Sequence, residues 1–249
     1  MRFVIFSGTT EGRELSRLLA GEGARVTVCV ATEYGSEEQG SCPGVQTLTG
    51  PLSQEEKARL LEGAALCVDA THPYARHVTQ SVREVCEQCG TPYCRLLRQP
   101  CETGDAVVLD SAAEAADWLQ VREGNILLTT GANELTAYAG LSPERLFPRV
   151  LPSHRSLSAC EEMQIPHRNI IAMQGPFSRE LNEALLRQFQ IRWLVTKDGG
   201  AAGGFPEKAA AAKALGIGLI VLRRPSEEGD SFDTVLARCR SLLRSQAEN

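Results

Sequence analysis

Short, β-branched apolar runs alternate with helical patterns along the whole of this 249-residue chain, and no other feature restricts its fold so strongly. Strands are expected at 2–6, 25–31, 45–49, 65–69 and 93–97, then at 125–130, 146–151, 169–173, 192–196 and 218–222. Helices are expected at 11–20, 53–62, 76–89, 111–120, 133–139, 156–163, 178–189, 206–215 and 231–245. Near-continuous apolar strands separated by helices are buried on both faces, which means parallel sheets with helical cover. Five of these strands precede residue 100 and five follow residue 124, so two doubly wound domains are expected, 1–104 and 105–249. The stretch 98–110, with Pro100 and Gly104, reads as the crossing between them. A single wider sheet is the competing arrangement.

The ends of the strands carry the chemistry. Ligands of open α/β sheets bind at the carboxyl ends of the strands, and small, hydroxylic and ionisable residues concentrate there in this chain. The architecture read from this is α/β, with two Rossmann-like parallel-sheet domains facing across a cleft. Gly8-Thr9-Thr10-Glu11-Gly12 lies between the first strand and first helix, where a dinucleotide pyrophosphate would rest on backbone N–H groups. It is not G-x-G-x-x-G, and an ordinary turn with a hydroxyl cap is the alternative. Thr32 and Glu33 close the second strand, where an acidic group would meet an adenosine ribose. No arginine follows to take a 2′-phosphate, which leans toward NADH. Thr32 and Ser36 can also hydrogen-bond a phosphate, so NADPH and NADH both stay open. Gly50 ends the third strand and Thr71 the fourth, and both join the cofactor set.

Asp69-Ala-Thr-His-Pro-Tyr-Ala75 gathers a carboxylate, a hydroxyl, an imidazole and a phenol at one strand end. Pro73 forces His72 into extended backbone, so His72 and Tyr74 are candidates for contacting a bound ring or donating a proton. The plain alternative is a hydrogen-bonded turn. Further along, Thr196-Lys-Asp-Gly-Gly-Ala-Ala-Gly-Gly-Phe-Pro-Glu-Lys208 follows an apolar run and re-enters a helix. Four glycines in the six positions 199–204 let backbone approach a ligand, and the new helix turns its positive end toward that loop. A flexible turn is the alternative there.

The net charge is −5, and no basic stretch offers a nucleic-acid footprint. Yet Arg13, Arg76, His77, Arg149, His154, Arg155, Lys197 and Lys208 all sit at or one turn past strand ends, which suggests a local positive cleft for a polyanion. No apolar segment is long enough to span a membrane, and the N-terminus lacks a signal-peptide pattern, so the chain reads as cytoplasmic. No Ser-His-Asp or H-E-x-x-H arrangement supplies hydrolytic chemistry. Of nine cysteines, Cys86, Cys89, Cys94 and Cys101 match no standard metal spacing, so reduced thiols and no metal are expected.

Taken in order, Gly8-Thr-Thr-Glu-Gly-Arg13, Asp69-Ala-Thr-His-Pro-Tyr-Ala75, Met173-Gln-Gly-Pro-Phe-Ser178 and Thr196-Lys-Asp-Gly with Gly203, Gly204, Glu207 and Lys208 resemble the precorrin-6A reductase family over essentially the whole chain. Gly199 departs from it, standing where serine is expected in Lys-Asp-Ser-Gly. The resemblance implies a two-domain enzyme of cobalamin biosynthesis that transfers a hydride from NADPH or NADH to precorrin-6A or its cobalt complex. It implies a dinucleotide-binding first domain and a substrate-binding second one. It assigns Arg13, Arg76, Arg149, Ser153, Arg155, Gln174, Lys197, Asp198, Gly203, Gly204 and Lys208 to a polycarboxylate tetrapyrrole, and sets His72 and Tyr74 near the reacting face. The rival reading is a two-lobed tetrapyrrole or nucleotide binder with no redox step, laid out like uroporphyrinogen synthase. A short-chain-dehydrogenase relative is disfavoured, since no Tyr-x-x-x-Lys pair falls on a helix.

Overall fold

A computed structural model of the chain describes residues 1–98, 101–200 and 203–247. Contacts divide the chain into two compact units, Met1–Gln99 with Pro225–Asn249, and Pro100–Arg224. Both are parallel sheets covered by helices.

In the first unit the strands are β1 (Arg2–Ser7), β2 (Arg25–Val30), β3 (Val45–Thr49), β4 (Leu66–Ala70) and β5 (Tyr93–Arg95). They lie in the order β3-β2-β1-β4-β5, and every pairing is parallel. Alternate residues of β1 serve opposite cores. Phe3 and Ile5 pack with Leu15 and Leu19 of α1 (Thr10–Gly21), whereas Val4 and Phe6 pack with Leu61 of α3 (Gln54–Leu61) and Val82 and Val85 of α4 (Arg76–Cys89). Burial on both faces explains why these strands read as unbroken apolar runs. A short α2 (Glu33–Gln39) follows β2; its polar composition gives it no apolar stripe, and the sequence does not announce it.

The C-terminal helix α9 (Phe232–Ala247) places Val235, Leu236 and Cys239 on the same face of this sheet as α1. The expected division at 104 and 105 puts this helix with the second half, whereas in the structure it completes the core of the first. The backbone leading to it runs beside β5, where Leu97 N–H reaches Asp230 O at 2.9 Å and Asp230 N–H reaches Arg95 O at 2.8 Å.

The second unit holds β6 (Val107–Leu109), β7 (Asn125–Leu128), β8 (Leu146–Val150), β9 (Ile171–Ala172), β10 (Ile191–Lys197) and β11 (Gly218–Leu222). Their order is β6-β11-β10-β7-β8-β9, again parallel throughout. One face packs on α5 (Ala112–Gln120) and α6 (His154–Glu162), the other on α7 (Arg179–Gln188) and α8 (Phe205–Leu215). The stretch expected as a crossing contains the edge strand β6, and Pro100 lies outside the described residues. The helix expected at 133–139 is a 3-10 segment, Ala132–Tyr138.

Candidate functional site

In the first unit the chain runs outward from β1 to β2 and β3, then returns to β4 and β5 on the other side of β1. The loops after β1 and β4 therefore flank the point where strand order reverses, the usual ligand crevice of such sheets. Thr9 caps α1, its hydroxyl accepting Gly12 N–H at 3.2 Å and donating to Ala70 O at 3.0 Å. At Gly12 an added Cβ would lie 2.7 Å from Ser7 Oγ and 2.8 Å from Ala70 Cβ, so glycine alone lets α1 sit this close to β1 and β4. At exposed Gly8 the same atom would meet nothing nearer than His72 N at 3.4 Å, which leaves backbone open at the helix N-terminus.

His72 and Tyr74 stand half-buried across this loop, with ring centroids 5.5 Å apart and planes at 33°. Tyr74 N–H points at His72 Nδ1 over 3.4 Å, which favours the neutral tautomer with its proton on Nε2. Thr32 caps α2 by accepting Gly35 N–H at 3.0 Å, and Gly50, at φ 109, hydrogen-bonds Val30 O at 2.9 Å. These two residues end the neighbouring strands on the β2 side. The glycine turn, the helix N-terminus and the hydroxyls suit the pyrophosphate and ribose of a nicotinamide dinucleotide.

Glu11 and Thr71, both expected on the cofactor, have partners within the chain. The Glu11 carboxylate is gripped by Arg98, whose Nη2 and Nε lie 2.7 and 2.8 Å from its two oxygens. Burial raises the Glu11 pKa, and the Arg98 hydrogen bond and charge, together with hydrogen bonds from Glu11's own backbone and Thr9, more than reverse this and hold it below the usual value. Thr71 is buried, its hydroxyl donating to Asp69 Oδ1 at 2.7 Å and lying 3.0 Å from Thr79 Oγ1. Both side chains build the loop from within. Sequence reading missed the group that completes this network. Arg95 Nη1 bonds Asp69 Oδ1 at 3.1 Å and Thr71 O at 3.0 Å, its Nη2 bonds Glu227 Oε2 at 2.8 Å, and Tyr93 donates to Asp69 Oδ2 at 2.9 Å. The one sequence signal was an arginine inside an otherwise apolar strand.

Arg13, expected on substrate, holds Glu38 at 2.9 Å. Arg76 is exposed and lines a groove of about 450 Å³ with His77, Arg83, Glu227 and Glu228.

In the second unit the order reverses between β7 and β10. Ser153 caps α6 through Ser156 N–H at 3.3 Å, Arg155 reaches Asn133 Oδ1 at 3.0 Å, and Gln174 is exposed; all three stay at the rim. Gly204, at φ 67, starts α8 with Gly203 beside it; Ala201 and Ala202 of this loop lie outside the described residues. Lys197 pairs with Glu134 at 2.8 Å. Asp198, expected on substrate, is buried, and its carboxylate accepts N–H groups of Gly200 at 3.0 Å and Cys101 at 3.2 Å, which shapes its own loop. Arg149 on β8 and Lys208 on α8 are both buried, and burial pushes their pKa values down to about 10 and about 8.

Known proteins share this layout and sequence. The family model for precorrin-6x reductase CbiJ/CobK matches residues 2–240. The chain belongs to that family. A cobalt-precorrin-6A reductase of Methanothermobacter thermautotrophicus is 34% identical over 90% of this chain and 77% of its own. One from Priestia megaterium is 31% identical over 93% and 94%, and the precorrin-6A reductase of Mycobacterium tuberculosis 32% over 90% and 89%. The solved structure of a CobK precorrin-6A reductase superposes with TM-score 0.76 at 24% identity, covering 97% of each chain, and shares the fold. The chain is thus a precorrin-6x reductase of cobalamin biosynthesis, and that reductase family implies a nicotinamide cofactor. Among the described residues of this reductase no helix is long and apolar enough to cross a membrane, and no His, Cys, Asp or Glu cluster could hold a metal.

Proposed function

We propose that this reductase transfers a hydride from NADH to precorrin-6A or its cobalt complex, giving the 6B form, in the cytoplasm. The observation that carries the nucleotide reading is the pair of glycines after β1: Gly12 draws α1 onto the strands, and Gly8 leaves its N-terminus open. Gly8, Thr9, Thr10 and Gly12 would hold the pyrophosphate, with Thr32 and Gly50 toward the adenosine ribose. Once bound, the nicotinamide supplies the hydride. The chain's own work is binding, orientation and protonation. Acidic Glu33 follows Thr32 directly and disfavours a 2′-phosphate, which supports NADH over NADPH.

The second unit would hold the tetrapyrrole. Arg149, Arg155 and Lys208 offer positive charge to its carboxylates, with Ser153, Gln174, Gly203 and Gly204 completing the rim. His72 and Tyr74 are the proton-bearing groups beside the Gly8 loop and would protonate the carbon next to the one that receives the hydride. The test is anaerobic turnover of both ring forms with each reduced nucleotide, alongside fluorescence titration of NADH and NADPH. Absence of binding by either nucleotide at millimolar concentration would overturn the reading.

A further inference from the structure

A second concave surface lies at the other end of the first sheet. It is a groove of about 540 Å³ where β1, β2 and β3 begin, with Arg2, Arg25, Thr27, Gln46, Leu48 and Leu60 in its lining. Strand register explains the set. Arg2 lies beside Arg25, Val4 beside Thr27, Thr27 beside Gln46 and Cys29 beside Leu48, so these side chains share the sheet face that carries Val4 and Phe6. Leu60 comes from α3, and it packs with Leu48 against the core on that face. Arg2 and Arg25 are the first residues of their strands. Five steps of about 3.3 Å along β1 put this groove about 17 Å from the strand end that leads into Gly8.

The polar groups of the groove are not satisfied from within. Two arginines stand side by side on neighbouring strands, an unfavourable placement for like charges. Neither has an ion pair among the described residues: Arg2 donates to the backbone carbonyl of Glu62, and the Arg25 guanidinium has no partner. No carboxylate is among the lining residues. Thr27 is 6% exposed, and its hydroxyl has no hydrogen-bond partner among the described residues. A hydroxyl so buried costs stability until something accepts or donates to it, and this one belongs to the same groove as the two cations.

We propose that this groove is a second ligand site, for a small amphipathic oxyanion with one carboxylate or phosphate head on an apolar body. Charge complementarity sets the head: the guanidiniums supply planar pairs of donors, and the Thr27 hydroxyl and Gln46 amide add neutral ones. Leu48 and Leu60 set the body. The volume is that of a small-molecule site. Because the groove lies at the amino ends of the strands, its occupant binds alongside a nucleotide at the Gly8 loop and stabilises the first unit.

The test uses the whole chain with 2-naphthyl phosphate and 2-naphthoate as fluorescent probes, each titrated with and without millimolar NADH. At least one probe is expected to bind about tenfold or more tightly than uncharged 2-naphthol, and NADH should not displace it. Arg25→Gln should weaken binding about tenfold or more and Thr27→Val about threefold or more, with Tm within about 2 °C of wild type or above it. Arg59→Gln, which alters an exposed arginine of α3 outside the groove, should bind as wild type does. Equal affinity for naphthol would reduce the groove to an apolar patch, and displacement by NADH would put the probe in the nucleotide crevice. Either result overturns the site, as does undiminished binding in Arg25→Gln or failure of both probes to bind at millimolar concentration.

Discussion

Asp69 and Arg95 meet 3.1 Å apart with side-chain exposures of 0% and 2%, so the carboxyl-terminal ends of β4 and β5 share a fully desolvated ion pair. Arg95 carries the charge of Glu227 as well, at 2.8 Å, and so ties the β4 loop to the segment leading into α9. One guanidinium thereby positions the strand end that presents His72 and Tyr74.

Arg95→Met leaves Asp69 as a buried charge without a cation. Loss of one partner of such a pair costs about 3–5 kcal/mol, and urea unfolding should show it as a lower midpoint at unchanged slope. Asp69→Asn with Arg95→Met should recover much of the loss, because the orphaned charge is gone. Additive losses in the double variant would mean that the two side chains do not act as a pair.

The two glycines after β1 should separate stability from binding. Gly12→Val puts side-chain atoms into Ser7 and Ala70, already 2.7 and 2.8 Å from a Cβ, so α1 must move and both Tm and nucleotide affinity should fall. Gly8→Ala has room, with its nearest neighbour at 3.4 Å; it should leave Tm within about 2 °C of wild type and weaken NADH binding about tenfold. Unaltered NADH affinity in Gly8→Ala would place the pyrophosphate elsewhere.

Much of this was legible in the sequence, and the reasons for the rest are physical. Strands such as β1 and β10 are buried on both faces, so apolar runs mark them. The three residues of β6 give too short a pattern. An amphipathic helix advertises a buried face but not which sheet it covers, and α9 is read into the wrong half for that reason. Residue placement at strand ends marked Gly8, Gly12, Arg149 and Lys208 as candidates. It could not show which charges are already neutralised, because Glu11 finds Arg98 across 87 positions and Arg95 finds Glu227 across 132. The distinction between paired Lys197 and unpaired Lys208 exists only in three dimensions.

Nucleotide preference should respond to the charge that ends β2. Glu33→Arg places a cation next to the Thr32 cap and should raise NADPH affinity relative to NADH about fivefold or more, with kcat little altered. Parallel titrations of the two nucleotides decide it, and an unchanged ratio would locate the ribose away from the end of β2.

Lys208 should make stability depend on alkaline pH in a defined direction. Its pKa falls from 10.5 in the unfolded chain to about 8 in the folded one, so below about 8 both states hold the proton and the whole burial penalty applies. Between about 8 and 10.5 the unfolded chain binds more protons than the folded one, so stability attributable to this group rises with pH. Lys208→Met lacks the effect. Its stability advantage over wild type should be greatest near pH 7, at up to about 3 kcal/mol, and should shrink by pH 10. Urea unfolding of both proteins at pH 7, 9 and 10 checks this, and parallel stability curves would show that Lys208 titrates as an ordinary surface lysine.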